Sequence, residues 1–114
     1  MDIIDASREI ERAINALGEE GKKSEELIRK KAEAMAEYDK RLGMAVGALK
    51  ALKEPVSIID KKAKGEVSKY LYDKIIAEES LKAHYSRLDQ LEAQLNGLQS
   101  LFRKMESVDR QVNM

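Results

Sequence analysis

The stretch from residue 81 to residue 112 constrains the fold of this chain more than any other feature. After Leu88 its apolar residues recur at alternating intervals of three and four positions. This spacing places them along one narrow stripe of an α-helix, which is the pattern of a helix that packs along a partner helix. We call this set the seam, and it consists of Leu88, Leu91, Leu95, Leu98, Phe102 and Met105.

A second apolar stripe precedes the seam and ends before Pro55, the only proline. It predicts a first long helix over about 3–53, because proline lacks an N–H and disfavours helix at the residue before it. The stripe is interrupted at Gly21, Ser24 and Lys31. We predict a continuous helix that is weak in its middle, with a break at Gly18–Gly21 as the alternative. Its apolar members are Ile3, Ile10, Ile14, Leu17, Ile28, Met35, Tyr38, Leu42, Ala45, Leu49 and Leu52.

The residues after Pro55 predict a short helix and then a second long one. Ser57 is the predicted N-cap of a helix over about 58–64, and Gly65 is its predicted C-terminal stop. The second long helix is predicted over about 67–109. Asn96 and Gly97 lie inside it, but the apolar residues keep their phase across the pair, which favours one continuous helix over a break. A glycine in a packed helix also indicates close approach by a neighbouring chain.

These elements predict an all-α fold, a single domain over 1–114 built as a long helical hairpin of two antiparallel helices with a short connecting helix. A charged fraction of 37% and an aromatic fraction of 4% are typical of long helices. Two helices alone bury little surface, so we predict a homo-oligomer, a dimer or higher. In the hairpin the weak middle of the first helix would lie opposite Leu88–Leu98. The seam is therefore the predicted oligomer interface.

Composition also limits the functions open to the chain. It contains 21 basic and 21 acidic residues and no cysteine. Charge balance disfavours direct binding of nucleic acid, and the missing thiols exclude disulfides and thiolate metal sites. There is no signal pattern and no apolar run of 18 residues, so we expect a cytoplasmic protein without a membrane partner.

His84 is the only histidine, and it falls on the same stripe as the seam. We interpret it as a partly buried side chain hydrogen-bonded across the bundle, with a pH switch or a general base as alternatives. A base needs an orienting partner, which the sequence does not identify. The carboxylate pairs with metal-binding spacing, Asp2 with Asp5 and Glu106 with Asp109, lie at the helix ends. We therefore expect no catalysis, no metal and no cofactor.

A basic cluster near the predicted connection is the candidate for binding phosphates. Lys61, Lys62 and Lys64 precede Tyr70 and Tyr72, so lysines could hold phosphates while a tyrosine stacks on a base. The alternative is a solvated connector. A signalling nucleotide bound between protomers would need a tyrosine next to a cation, and further candidates for that role are Tyr38, Arg41, Tyr85 and Arg87.

Three segments resemble small proteins encoded in the early regions of phages of Gram-positive bacteria. They are MDIIDASREIERAINAL, SIIDKKAKG and LEAQLNGLQSLFRKM. The genes of that family lie near those for single-strand annealing recombinases and single-strand binding proteins. The resemblance implies a protein of the infected bacterial cytoplasm and assigns no catalytic residues. It favours a non-enzymatic counter-defence factor that inhibits a host immune effector protein or sequesters a signalling nucleotide. The alternative is an accessory of phage recombination or replication that binds single-stranded DNA or its handling proteins.

Overall fold

The computed structural model describes residues 1–112, and every regular element in them is helical. Helix α1 spans Ile3–Gly21, α2 spans Ser24–Ala51, α3 spans Val56–Glu66 and α4 spans Ser68–Val112. The predicted all-α class is confirmed. Within the described residues no helix is long and apolar enough to cross a membrane.

The first helix begins with a side-chain cap. The carboxylate of Asp2 accepts a hydrogen bond of 2.8 Å from the backbone N–H of Asp5. This bond satisfies one of the N–H groups that the first turn of a helix leaves free. Asp5 adds a second negative charge at the positive end of the helix dipole.

The prediction of one continuous helix over 3–53 is wrong, because a turn at Lys22 and Lys23 separates α1 from α2. The N–H of Lys22 donates to Gly18 at 3.3 Å, and the N–H of Lys23 donates to Glu20 at 3.1 Å. Gly18 and Gly21 weaken the helix here, since each costs about 1 kcal/mol relative to alanine. Gly97, in contrast, does not interrupt its helix. The predicted continuity of the last helix is confirmed, because α4 runs through this glycine.

The predicted caps of the short helix are also wrong. Pro55 occupies the N-cap position with φ −57°, no side chain caps the helix, and Ser57 lies inside α3. Gly65 lies inside the helix as well, and Val67 occupies the C-cap. Proline is suited to a helix start because its φ is already fixed near the helical value and its missing N–H would have no partner there.

Helix α2 ends in a Schellman motif at Lys53. Its φ is 59°, the only positive φ among the described residues other than glycine. The N–H of Glu54 donates to Leu49 at 3.2 Å and that of Lys53 donates to Lys50 at 3.0 Å. These two bonds satisfy carbonyls that the last helical turn leaves free, and they turn the chain toward Pro55.

The chain divides into two compact units. The first unit contains Met1–Ser24 and the chain from Ala83 onward, so α1 packs on the later part of α4. One cavity lies between Met1–Ile3 and Lys104–Asp109, while Glu20 contacts His84, and these two contacts make the pairing antiparallel. Ala6 and Ala13 are buried on the inner face of α1, whereas Ile14 from the predicted stripe is half-exposed. Small alanines on this face allow close approach of the two helices.

The second unit, Glu25–Lys82, contains the largest apolar cluster. It joins α2, α3 and the start of α4. Partly buried side chains of Tyr38, Leu42, Val46 and Tyr70 surround it. The buried members are Ala45, Leu49, Ile59, Ala63 and Val67. The prediction of a single domain over 1–114 stays a prediction.

Candidate functional site: the His84 cluster

His84 is the largest fully buried side chain in the described chain, with 1% of its surface exposed. It lies on α4 at the seam phase, seven positions before Leu91. A buried imidazole needs hydrogen-bond partners for both ring nitrogens, because leaving either unpaired costs about 1–3 kcal/mol. Both partners come from α1 and the residues just after it.

Glu20, in the last turn of α1, supplies the first partner and is itself buried, with 7% of its surface exposed. Its Oε1 lies 3.1 Å from Nδ1 of His84 and 2.6 Å from a guanidinium nitrogen of Arg87. Its Oε2 lies 3.3 Å from the ammonium of Lys23. The carboxylate therefore receives three donors, two from α4 and one from the turn, as a buried charge requires.

Ser24, the first residue of α2, supplies the second partner. Its Oγ lies 2.6 Å from Nε2 of His84. Glu20 and Ser24 lie four positions apart, a spacing that places two side chains on one side of a helical chain. Both side chains reach the same imidazole across the turn at Lys22 and Lys23. We call Glu20, Lys23, Ser24, His84 and Arg87 the His84 cluster.

The donors around Glu20 fix its charge. The hydrogen bond from His84 is the largest cause, opposed by burial and reinforced by Arg87 and Lys23, and together they lower the pKa of Glu20 from 4.5 to about 2. An ionised carboxylate only accepts, so Nδ1 of His84 carries a proton and donates to it. In the neutral ring Nε2 is then the acceptor, and the Ser24 hydroxyl donates to it.

Sequence reasoning placed His84 on the stripe but found no partner for it. Glu20 is 64 positions away, and pairings at that separation leave no local pattern. One signal for this pairing is present in the sequence. The apolar stripe of the first helix is interrupted at Gly21 and Ser24, and the apolar stripe of α4 is interrupted at His84. The prediction that this weak stretch lies opposite Leu88–Leu98 is wrong, since Ser24 and Glu20 contact residues 84 and 87.

The seam residues lie along α4 in the first unit and are all half-buried. The antiparallel pairing brings them alongside the inner face of α1, so part of each side chain is covered within the chain. Two neighbours, Leu101 and Val108, are more exposed, at 38% and 56%. The predicted oligomer interface at Leu88, Leu91, Leu95, Leu98, Phe102 and Met105 stays a prediction.

Two lysines of the basic cluster at the connection already form ion pairs with carboxylates. Lys62 pairs with Glu54 at 3.1 Å, and Lys64 pairs with Asp60 at 3.1 Å. The Asp60 carboxylate raises the pKa of Lys64. Lys61 is exposed. A phosphate would have to compete with these pairs, and the phosphate site stays a prediction.

Two of the tyrosine candidates in the second unit, Tyr38 and Tyr70, lie next to cations. The Arg41 guanidinium lies 4.9 Å from the ring centre of Tyr70, and the Lys74 ammonium lies 4.9 Å from that of Tyr38. Tyr72, in contrast, is 65% exposed. Arg41 also donates to Glu37 at 2.8 Å. The nearby cavity of about 410 Å³ is lined by Lys30, Glu33, Ala34, Glu37, Tyr70 and Asp73, and its three carboxylates make it a poor site for an anion.

No protein-family model matches the chain, and neither curated proteins nor solved structures include a match. In the part of the chain that the structure describes, no group of three or more side chains is placed to hold a metal ion.

Proposed function

We propose that the protein acts by association: copies of the chain pair through the later part of α4, and the resulting oligomer binds a protein partner. The observation that carries this proposal is the apolar surface left uncovered beside the seam. The proposed architecture is a helical hairpin that completes its core in an oligomeric bundle.

The amount of exposed surface supports association. The chain exposes 8454 Å², whereas a compact monomer of this mass exposes roughly 6,300 Å². Counting two separate compact domains of half the mass raises that figure only to roughly 7,600 Å². The excess is of the order that each partner buries in a standard or larger interface, about 800 Å² or more.

The position of the exposed apolar residues identifies the face. Leu101 and Val108 each lie three positions after a seam residue, so they extend the apolar surface along one side of the seam. A helix that packs on one partner needs only the narrow stripe, whereas a wider apolar face is typical of a bundle. A largely apolar cavity of about 380 Å³, lined in part by Ile3, Met105 and Val108, lies at the same end of the unit.

Paired charge substitutions on α4 test this interface. We expect Leu101→Glu with Val108→Glu to convert the oligomer to a monomer, because carboxylates would be buried against the second copy. The matched control is Ser100→Glu with Ser107→Glu, which adds the same charge at exposed positions one residue away. The measurement is mass in solution by light scattering across micromolar concentrations. A monomeric wild-type protein would contradict the proposal.

The resemblance to phage early proteins supports a biological role for this association. We propose a counter-defence factor that inhibits a host immune effector protein in the cytoplasm of the infected cell. The carboxylate-lined cavity of the second unit, with Glu33, Glu37 and Asp73, makes a sequestered nucleotide the less favoured ligand.

Affinity capture from host lysate tests the role. We expect the tagged protein to retain one host protein in a stoichiometric amount, which mass spectrometry identifies. We expect extraction of the purified protein to release no bound small molecule. Binding to single-stranded DNA is measured in parallel at increasing salt. Strong, salt-dependent DNA binding without a captured protein would instead favour the recombination accessory.

A further inference from the structure

Ser24, His84 and Glu20 have the arrangement of a nucleophile, its base and the carboxylate that orients the base. Oγ of Ser24 lies 2.6 Å from Nε2 of His84, and Nδ1 of the same ring lies 3.1 Å from Oε1 of Glu20. The same order of groups forms the serine hydrolase triad on several unrelated folds. We infer that Ser24 is an activated nucleophile that accepts an acyl group from small esters. This inference is independent of the proposed association.

The surroundings keep the base in the required form. Arg87 and Lys23 hold Glu20 as an anion, so the carboxylate fixes the proton on Nδ1 and leaves Nε2 free to accept from Ser24. Burial of the imidazole keeps its ring in one orientation. The sequence predicts no catalysis because it shows no orienting partner for His84, and Glu20 supplies that partner.

Ser24 is half-buried, whereas Glu20 and His84 are buried. The proposed reaction requires the carbonyl of a small ester to reach Oγ of Ser24 from the exposed side. Ser24 is also the first residue of α2, and the backbone N–H at that position has no acceptor inside its own helix. This N–H can donate to a negatively charged oxygen that forms beside Oγ. A surface position offers no enclosed pocket for a bulky acyl group. The expected substrates therefore have short acyl chains.

The proposed reaction has two balanced steps. Oγ bonds to the carbonyl carbon while its proton moves to Nε2 of His84, and the carbonyl electron pair moves onto oxygen. That pair then re-forms the carbonyl as the bond to the leaving alcohol breaks, and Nε2 returns the proton to the leaving oxygen. In the second step the oxygen of a water molecule bonds to the carbonyl carbon of the acyl-serine and gives up one proton to Nε2. The bond between that carbon and Oγ then breaks, Oγ takes the proton back from Nε2, and the acid is released.

The test is acylation of the full chain by p-nitrophenyl acetate, with a fluorophosphonate probe as a second reagent. We expect release of p-nitrophenolate and an adduct that mass spectrometry locates on Ser24. The internal comparison is Ser86, an exposed serine of the same unit. Labelling of Ser24 no faster than labelling of Ser86 would overturn the inference, and this comparison needs no variant.

Variants separate the roles of the three residues. Ser24→Ala should abolish the adduct, and Ser86→Ala should leave it unchanged. Glu20→Gln keeps the side-chain shape but its amide can donate to Nδ1, which moves the ring proton to Nε2. We expect it to slow acylation by about 10²–10⁴-fold, the usual contribution of a general base. Circular dichroism checks that each variant remains helical. A folded Glu20→Gln variant that is acylated at the wild-type rate would also overturn the inference.

Discussion

Glu20 joins three separate segments of the first unit through one carboxylate. Its oxygens contact His84 and Arg87 on α4 and Lys23 in the turn after α1. Most surface ion pairs in this chain link residues three or four positions apart on one helix, and such exposed pairs contribute only about 0–1 kcal/mol. Glu20 differs because it is buried and two of its three donors, His84 and Arg87, are 64 and 67 positions away in the chain. Removing it would leave a buried imidazole without its acceptor.

The lowered pKa of Glu20 predicts a specific dependence of stability on pH. The unfolded chain binds a proton at Glu20 near pH 4.5, whereas the folded chain binds it only near pH 2. Stability from this group is therefore complete above pH 4.5 and is lost as the pH falls toward 2. We expect Glu20→Gln to be less stable than wild type at neutral pH, with a difference that narrows below pH 4.5.

Urea unfolding followed by circular dichroism between pH 7 and pH 2.5 measures this difference. The control is Glu19→Gln, which changes an exposed carboxylate next in sequence that pairs with Lys22. The stability of the Glu19→Gln variant should follow that of the wild type across this pH range. A constant gap between Glu20→Gln and wild type across the whole range would show that the charge of Glu20 does not stabilise the fold.

At the scale of elements, α4 continues through Gly97 without any packing that requires a glycine. A Cβ added at this position meets no heavy atom within 4 Å. Because alanine favours helix over glycine, we expect Gly97→Ala to raise the free energy of unfolding by about 0.5–1 kcal/mol. The reciprocal control, Ala93→Gly at an exposed position one turn earlier, should lower it by a similar amount.

Thermal and urea unfolding measure both changes, and light scattering follows the oligomer. The sequence interpretation was that a neighbouring chain approaches closely at Gly97. If Gly97→Ala dissociates the oligomer, that interpretation is right, and the contact then includes Gly97 together with Leu101, which lies four positions later on the same face of α4. If the oligomer is retained and stability rises, Gly97 faces solvent.

The accuracy of the sequence predictions differs from element to element for physical reasons. Apolar periodicity predicts helices well because the repeat of apolar residues follows the helical period. A break near Gly18–Gly21 is only the alternative in the sequence prediction, because the contact of Ser24 with His84, 60 positions away, leaves no local pattern. The cap at Ser57 was wrong because Pro55 already fixes the start of α3. Long-range polar contacts decided the site, and they leave no periodic trace.

At the scale of the whole molecule, the buried apolar residues in the described chain are few and mostly small. Half of them are alanines. The full set is Ala6, Ala13, Ala45, Leu49, Ile59, Ala63, Val67 and Leu81. Many large apolar side chains remain exposed, among them Ile4, Ile14 and Val108. Buried apolar area is the main favourable term in folding. Association that covers more of it would therefore add directly to the stability of each copy.

Two sets of charge substitutions on α4 should separate folding from association. Leu95 and Leu98 belong to the half-buried seam that runs alongside α1, so Leu95→Glu with Leu98→Glu should lower helical content and abolish the oligomer together. Leu101→Glu with Val108→Glu changes only the exposed flank and should abolish the oligomer while most helix remains at 25 °C. The thermal midpoint of the wild type should rise with protein concentration, since unfolding then includes dissociation.

Circular dichroism melts at several concentrations, paired with light scattering, distinguish these outcomes. In the flank variant the midpoint should no longer depend on concentration, whereas Ser100→Glu with Ser107→Glu should retain the wild-type dependence. If the seam variant stays fully helical and only dissociates, the seam faces the second copy and α1 contributes little to its burial. If the flank variant stays oligomeric, the copies meet through another surface, and the exposed residues of the second unit become the next to test.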